Sequence, residues 1–533
     1  MPNRMRAIVG VTALAAALLV ASQASAGAVF GVADNHPLGD PDGGAAFFAK
    51  LQDLGMREDR VSILWDDQHP QAIPYRSNIE RMLPQAAAHH VDIVLALYPA
   101  SARAFTSNPA AFQEFASWAA GLARAFPQVR RFIVGNEPNQ PKFLQPQFRA
   151  DCTPASGATY MQLLAKTYDA VKAVDAGVRV VTSVSPRGND NCKAPSNIST
   201  SPYRFIHDMG VEFRALGRQQ PAWDEWGIHA YPNEPTDPLT KGFPWPNIGY
   251  ANLDRLKQAL WDAFNSTPQP TFGSTARFGQ SLAALQPLSI MIGETGWQTA
   301  IPASAQHAYY GKENVKVTSE ATQAQIYGQL VRTAGCDPTL RSVLIFGLED
   351  EPNLDRFQSG VIRADGTHKP SYDAVKTAIA QTHGQCASGQ VQNWQPTTTV
   401  VGAHADFKVK TQWWKQTWWG FTAGATEDVT ITGGVFRLGG KTLTPARRDT
   451  IVRGLSGTGK SKAPVLQRSA FVKAYWSQLL RFPSKRLQPG YYVYATRLAA
   501  TMNPSRIAVF TSPAFRVTPK PMRKRPHHRR HHH

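Results

Sequence analysis

From Val29 onward, short runs of β-branched and aromatic residues alternate with longer segments whose apolar positions recur every three to four residues. The short runs predict strands at Val29–Val32, Asp59–Trp65, Asp92–Tyr98, Arg131–Gly135, Val178–Val184, Trp226–Ala230, Ser289–Gly293 and Ser342–Gly347. The segments between them, among them Ala111–Ala125, Thr159–Val174 and Thr322–Ala334, carry helical periodicity. A βα unit repeated eight times predicts a closed (β/α)8 TIM barrel over residues 27–386, with an open doubly wound sheet as the alternative. Beyond Cys386 the pattern changes. A Gln, Thr and Gly-rich stretch through Val391–Thr399 reads as a linker, residues 387–402. Strand-like runs at Asp428–Ile431, Gly490–Thr496, Ile507–Thr511 and Ala514–Val517 then predict a smaller all-β sandwich over 403–518, followed by a basic His/Arg tail, 519–533.

Composition sharpens this division. At 533 residues and 42% hydrophobic content the chain is too long for one ordinary core and too apolar for a disordered one. Its formal charge of +19 is not shared between the parts: residues 387–533 hold 24 Lys and Arg against 4 Asp and Glu, leaving 33 against 34 before them. An anionic partner is therefore addressed by the C-terminal part, and an acidic cell-envelope polymer or polysaccharide fits better than nucleic acid, given the compartment. That compartment is read from Met1–Ala26, where Arg4 and Arg6 precede an apolar stretch and Ala24-Ser25-Ala26 precedes Gly27. The pattern is a signal peptide, with an N-terminal membrane anchor as the alternative; no later segment is apolar enough to span a bilayer. A secreted or cell-wall-associated protein permits disulfides, and sequence proximity pairs Cys152 with Cys192 and Cys336 with Cys386.

In a barrel of this kind the residues just after each strand form the active face. Here they include Asp34-Asn35, Asp66-Asp67, Asn136-Glu137-Pro138-Asn139, Ser185-Pro186-Arg187, His229-Ala230-Tyr231, Glu294-Thr295-Gly296-Trp297 and Glu349-Asp350-Glu351. Carboxylates, amides and aromatic rings together suit the binding and cleavage of sugars. Gly135-Asn136-Glu137-Pro138, His229-x-Tyr231 and Gly293-Glu294-Thr295-Gly296-Trp297, in this order, resemble retaining glycoside hydrolases of the large (β/α)8 clan, nearest to families 5 and 39. The stretch Gly360–Tyr372 is similar to the closing helix of those barrels. The resemblance implies a secreted enzyme that cleaves β-glycosidic bonds of a poly- or oligosaccharide by double displacement, without cofactor or metal. It implies Glu137 as acid/base, Glu294 as nucleophile and Asn136 as the residue holding the neighbouring hydroxyl. Arg60, His229 and Tyr231 fit positions that orient the nucleophile; for Arg60 a barrel-wall salt bridge is the alternative. Trp297 is expected to line the sugar site.

Other features compete with these. A second Asn-Glu-Pro, Asn233–Pro235, lies beyond a strand end, so Glu234 reads as a turn residue. Glu349, Asp350 and Glu351 fit substrate contact or a solvated face better than catalysis. Strand eight offers Phe346 and Leu348 where the resembled families commonly place a Trp, which leaves open a catalytically silent glycan-binding or envelope-structural protein. Gly454–Ser461 matches the phosphate-loop pattern, but Pro464 stands where its helix belongs. Leu487–Ala495 and Ala514–Val517 resemble the last strands of bacterial immunoglobulin-like modules. Trp413, Trp414, Trp418 and Trp419 there suit core packing more than a sugar platform, since adjacent strand residues face opposite ways.

Overall fold

The computed structural model describes residues 27–273, 288–408, 418–456, 463–483 and 487–518. The signal-peptide segment, the basic tail, Trp413 and Trp414 lie outside them, as does the side chain of Trp418. Strands β1 (Val29–Ala33), β2 (Glu58–Trp65), β3 (Asp92–Pro99), β4 (Arg131–Val134), β5 (Arg179–Val181), β6 (Glu225–His229), β7 (Ser289–Thr295) and β8 (Leu340–Phe346) close into a parallel barrel in sequence order. All eight expected strands are present. The fifth is shorter than its apolar run, because beyond Val181 only the isolated bridge Val184 to Ile228 continues the pairing.

Strand β2 illustrates how the period of two builds two different surfaces. Val61, Ile63 and Trp65 are wholly buried against the helical layer. The alternate residues, Glu58 and Arg60, belong to the inner face. Glu58 Oε1 meets Arg131 Nη2 at 2.6 Å, and β2 and β4 are not neighbours, so this bond passes through the barrel interior. Arg179 Nε lies 2.5 Å from Glu225 Oε1 beside it. These residues open their strands, so the barrel floor is a buried charge network. Above it Ala33, Val94, Ala96, Ile133, Val181, Met291 and Leu344 form an apolar plug, and the polar site sits above that.

Both expected disulfides form, Cys152–Cys192 and Cys336–Cys386. The first clamps the loop after β4 to the loop after β5; cross-links of this kind contribute about 2–4 kcal/mol each.

The C-terminal part consists of antiparallel sheets. One contains β9 (His404–Lys408), β10 (Trp418–Gly424) and β13 (Ser477–Pro483); the other contains β11 (Val429–Leu438), β12 (Leu466–Val472), β14 (Gly490–Ala500) and β15 (Ile507–Thr511), with β16 (Phe515–Val517) on β14. Trp419, Phe421, Phe482, Tyr494 and Phe515 pack between them, so Trp419 belongs to the core. A helix, Pro445–Ser456, covers Phe436, Leu438 and Val493. Gly454 lies in the last turn of that helix, so a helix precedes the phosphate-loop-like run, the reverse of strand–loop–helix order; residues 457–461 of that run lie outside the described residues.

The run 387–402 lies along the barrel: Thr397 N donates to Gln258 Oε1 at 2.9 Å and Trp394 packs on the barrel core. The sheets are fastened by Arg506, which is 1% exposed. Its Nε lies 3.1 Å from Asp262 Oδ2 on the helix Leu253–Phe264, and its Nη1 lies 3.0 Å from Glu427 Oε1. Arg204 Nη2 meets Asp428 Oδ2 at 2.8 Å nearby. No helix among the described residues is long and apolar enough to cross a membrane.

Two predictions follow from these buried charges. Arg506→Met strands the Asp262 and Glu427 carboxylates in the interface and is expected to cost about 3–5 kcal/mol in denaturant unfolding; a loss below about 1 kcal/mol would place the anchor elsewhere. Asp59 on β2 is wholly buried, and desolvation, aided by the Asp34 charge, pushes its carboxyl well above the usual range. The folded state thus binds this proton more tightly than the unfolded chain. Its contribution is fullest below the ordinary carboxylate pKa and is lost as pH rises. Asp59→Asn should raise the melting temperature at neutral pH and flatten its fall from acid pH; an unchanged slope would refute this.

Candidate active site

Strand β4 ends at Val134, and the next three residues turn sharply into the barrel mouth. Gly135 has φ 81° and the Tyr160 ring stands 2.9 Å from where a Cβ would be, so only glycine fits there. Glu137 follows at φ 40°, a backbone state that costs a non-glycine residue about 1–3 kcal/mol and is held only when its surroundings impose it. Those surroundings are specific. Tyr160 OH donates to Val134 O at 2.5 Å, Gln147 Nε2 to Pro138 O at 2.9 Å, and Asn139 Nδ2 to Thr200 O at 2.9 Å.

On the opposite side, the register between β6 and β7 shifts at His229, which pairs with Glu294. The irregularity re-aims both side chains into the mouth. Arg60 Nη1 lies 2.7 Å from Glu294 Oε1, and its Nη2 lies 2.5 Å from Asn136 Oδ1. Tyr231 OH donates to Glu294 Oε2 at 2.9 Å. Burial first, and then the Glu294 charge, hold the Tyr231 phenol well above its ordinary pKa, so it remains a neutral donor. His229 Nδ1 stands 3.0 Å from Glu137 Oε1 and 3.4 Å from Glu294 Oε2, with Nε2 2.9 Å from Ser183 Oγ. Two carboxylate oxygens face Nδ1, so the consistent tautomer carries its proton there and accepts from the Ser183 hydroxyl at Nε2.

Six of the seven residues singled out from the sequence therefore meet in one cluster: Arg60, Asn136, Glu137, His229, Tyr231 and Glu294. Trp297 does not. It is 2% exposed, its Nε1 donates to Asp237 O at 2.8 Å, and its ring meets Tyr327 edge-on. The indole fills core and does not line the barrel mouth, contrary to the expectation. Glu234 lies in a turn and pairs with Lys316. Asp350 is bound to Lys369 at 2.7 Å with both side chains fully buried, an internal ion pair.

Ser183 escaped sequence reading, although it shares the inner face with Val181 two positions earlier. So did Phe357, which is 44% exposed and packs edge-on against Phe346 at 4.7 Å; Phe346 in turn contacts the Tyr231 ring at 6.3 Å. Two phenyl rings thus stand beside Tyr231, which contacts Glu294, where strand eight offers no indole. Donor atoms of Glu137, His229 and Glu294 all lie within 4.8 Å of one another, a set that a divalent cation could use, but Arg60 already brings a positive charge against Glu294.

No family model matches the chain, and no curated protein matches its sequence. Solved structures do. A family 39 glycoside hydrolase from the gut symbiont Bacteroides cellulosilyticus WH2 is 15% identical, over 79% of this chain and 74% of its own, with TM-score 0.43. A monomeric β-xylosidase from Caulobacter crescentus CB15 is 15% identical, over 89% and 96%, with TM-score 0.41. An endo-β-1,4-mannanase from Thermotoga petrophila is 9% identical, over 93% and 99%, with TM-score 0.40. The chemistry available to this chain is set by its own side chains.

Proposed function

We propose that the protein is an exported glycosidase that cleaves β-glycosidic bonds with retention of configuration. The observation that carries this reading is the pair Glu137 and Glu294, whose oxygens approach within 4.8 Å at the barrel mouth. Carboxyl groups about 5–5.5 Å apart suit direct attack on the sugar, whereas inverting enzymes hold them about 6.5–9.5 Å apart to admit a water. The surroundings support a division of roles. Glu294 receives Arg60, Tyr231 and His229, donors aimed at a negative charge, and is the nucleophile. Among the described residues the Glu137 carboxylate meets only His229 and is more exposed, and it is the acid/base.

In the first step Glu294 forms a bond to the anomeric carbon while the bond to the leaving oxygen breaks and takes the Glu137 proton. In the second, Glu137 removes a proton from water, the water oxygen attacks the same carbon, and Glu294 is released. A panel of β-linked aryl glycosides and oligosaccharides, xylose- and mannose-based among them, tests this. Glu137→Gln should lower kcat by about 10²–10⁴-fold on substrates with poor leaving groups, and Glu294→Gln should abolish turnover. Proton NMR should find the β-anomer formed first. Full activity in either variant, or a first-formed α-anomer, would overturn the assignment.

We also propose that the C-terminal sheets bind a polyanion of the cell envelope. Arg447, Arg448 and Arg453 stand exposed on one helix beside a single acid, Asp449, with Arg468, Lys473 and Arg516 exposed on neighbouring strands and turns. Coulomb attraction of this kind is screened beyond about 8 Å at physiological salt. The Arg447→Gln, Arg448→Gln, Arg453→Gln variant should therefore elute from immobilised polygalacturonate at lower salt than the parent; equal retention would refute the idea.

A further inference from the structure

Away from the carboxylate pair, the loop after β7 and the loop after β8 line an open hollow of about 340 Å³, within the range of small-ligand sites. Ile301, Gln306, Tyr309, Tyr310, Glu313 and Leu354 line it. We infer that this hollow is a second glycan-binding site that takes an uncharged pyranose unit. Its link to substrate rests on the glycosidase reading; its capacity to bind does not.

The hollow is built before any ligand arrives. Tyr309 OH donates to Asp350 Oδ2 at 2.8 Å and accepts from Ala364 N at 3.0 Å, so the hydroxyl is occupied and the ring is what lines the wall. The Asp350 carboxylate is itself locked by Lys369. Tyr310 is tied to the loop after β8 by two backbone bonds, Tyr310 N to Pro352 O and Leu354 N to Tyr310 O, both 2.9 Å, yet is 63% exposed. An exposed ring on a fixed backbone offers a flat apolar face at small entropic cost.

Glu313 supplies the polar side. Its Oε1 accepts from Asn314 N at 2.9 Å and from Val315 N and Gln298 Nε2 at 3.1 Å, which fixes the carboxylate. No Lys or Arg forms an ion pair with it among the described residues. A carboxylate can only accept, so it suits sugar hydroxyls and repels a uronate or sulfate. Ala300 lines the hollow six residues after Glu294, which sets an upper limit of about 22 Å between their backbones. One oligosaccharide can reach both.

The test measures binding with turnover removed. In the Glu137→Gln, Glu294→Gln background, calorimetric titration is run with neutral xylo- and manno-hexaose and with the galacturonate hexamer. A neutral hexaose should bind, Tyr310→Ala and Glu313→Gln should each weaken it about tenfold, the size of one aromatic or charge-assisted contact, and Tyr310→Phe, which keeps the ring, should bind as the background does. No binding by either neutral hexaose, equal binding in Tyr310→Ala, or galacturonate-hexamer binding that Tyr310→Ala weakens as much as it weakens the neutral hexaose would overturn the inference. Melting temperatures confirm that the variants fold. A protein that binds through Tyr310 but hydrolyses nothing would sink the glycosidase reading and leave the hollow; hydrolysis indifferent to Tyr310→Ala, with equal binding, would do the reverse.

Discussion

The guanidinium of Arg60 holds the site together. It projects from β2 into the barrel, 3% exposed, and binds one acceptor from the end of β4 and one from the end of β7. A buried cation is tolerated only when its partners and hydrogen bonds offset desolvation, and removing one partner costs about 3–5 kcal/mol. Asn136 and Glu294 therefore stabilise the guanidinium where it lies, and through it the two carboxylate-bearing strand ends are tied to each other. Small residues make room for this: Ala33 and Ala96 lie in the apolar plug between the charged floor and the charged mouth.

Much of this was legible because parallel barrel strands, buried on both faces, appear as continuous apolar runs, and because the clustered residues other than Arg60 sit within a few positions of where those runs stop. Glu137 and Glu234 share the same tripeptide, and distance from a strand end anticipates that Glu137 enters the barrel mouth while Glu234 lies in a turn. That rule says nothing about which way a side chain turns after a glycine. Trp297 follows Gly296, which leaves no room for a side chain beside Ser359, and there the chain swings the indole inward under Tyr327. Ser183 and Phe357 carry no motif; contacts from other strands and loops alone give them their positions, and no single-chain pattern encodes those. The helix Pro445–Ser456 escaped because its polar, arginine-rich sequence resembles a loop among strands.

Charge counting was similarly informative but coarse. It located the cationic excess in the C-terminal part, yet Arg506 is not available to any polymer, being enclosed by Asp262 and Glu427. The same residue type thus serves two purposes within one small domain. Arginines facing solvent stay hydrated and screened, whereas the one facing the barrel is dehydrated and bonded on several nitrogens, which makes it a directional fastener.

The departure at strand eight bears on how such a site would discriminate among sugars. An indole at the end of β8 would offer both a broad face and an N–H donor, whereas Phe346 and Phe357 offer apolar surface only. Their edge-on contact, continued to the Tyr231 ring, makes one wall of the mouth apolar. Under the glycosidase reading, hydrogen bonds to the reacting sugar then come from the opposite side, from Asn136 and from the groups around Glu137 and His229. Selectivity from such a wall depends on shape and on which ring face is free of axial hydroxyls, while selectivity from the amide and carboxyl side depends on the hydroxyl next to the reacting carbon. Because Asn136 is bound by the same guanidinium that binds Glu294, the positions of these two side chains, and on the glycosidase reading of the hydroxyl contact and the attacking carboxylate, cannot vary independently.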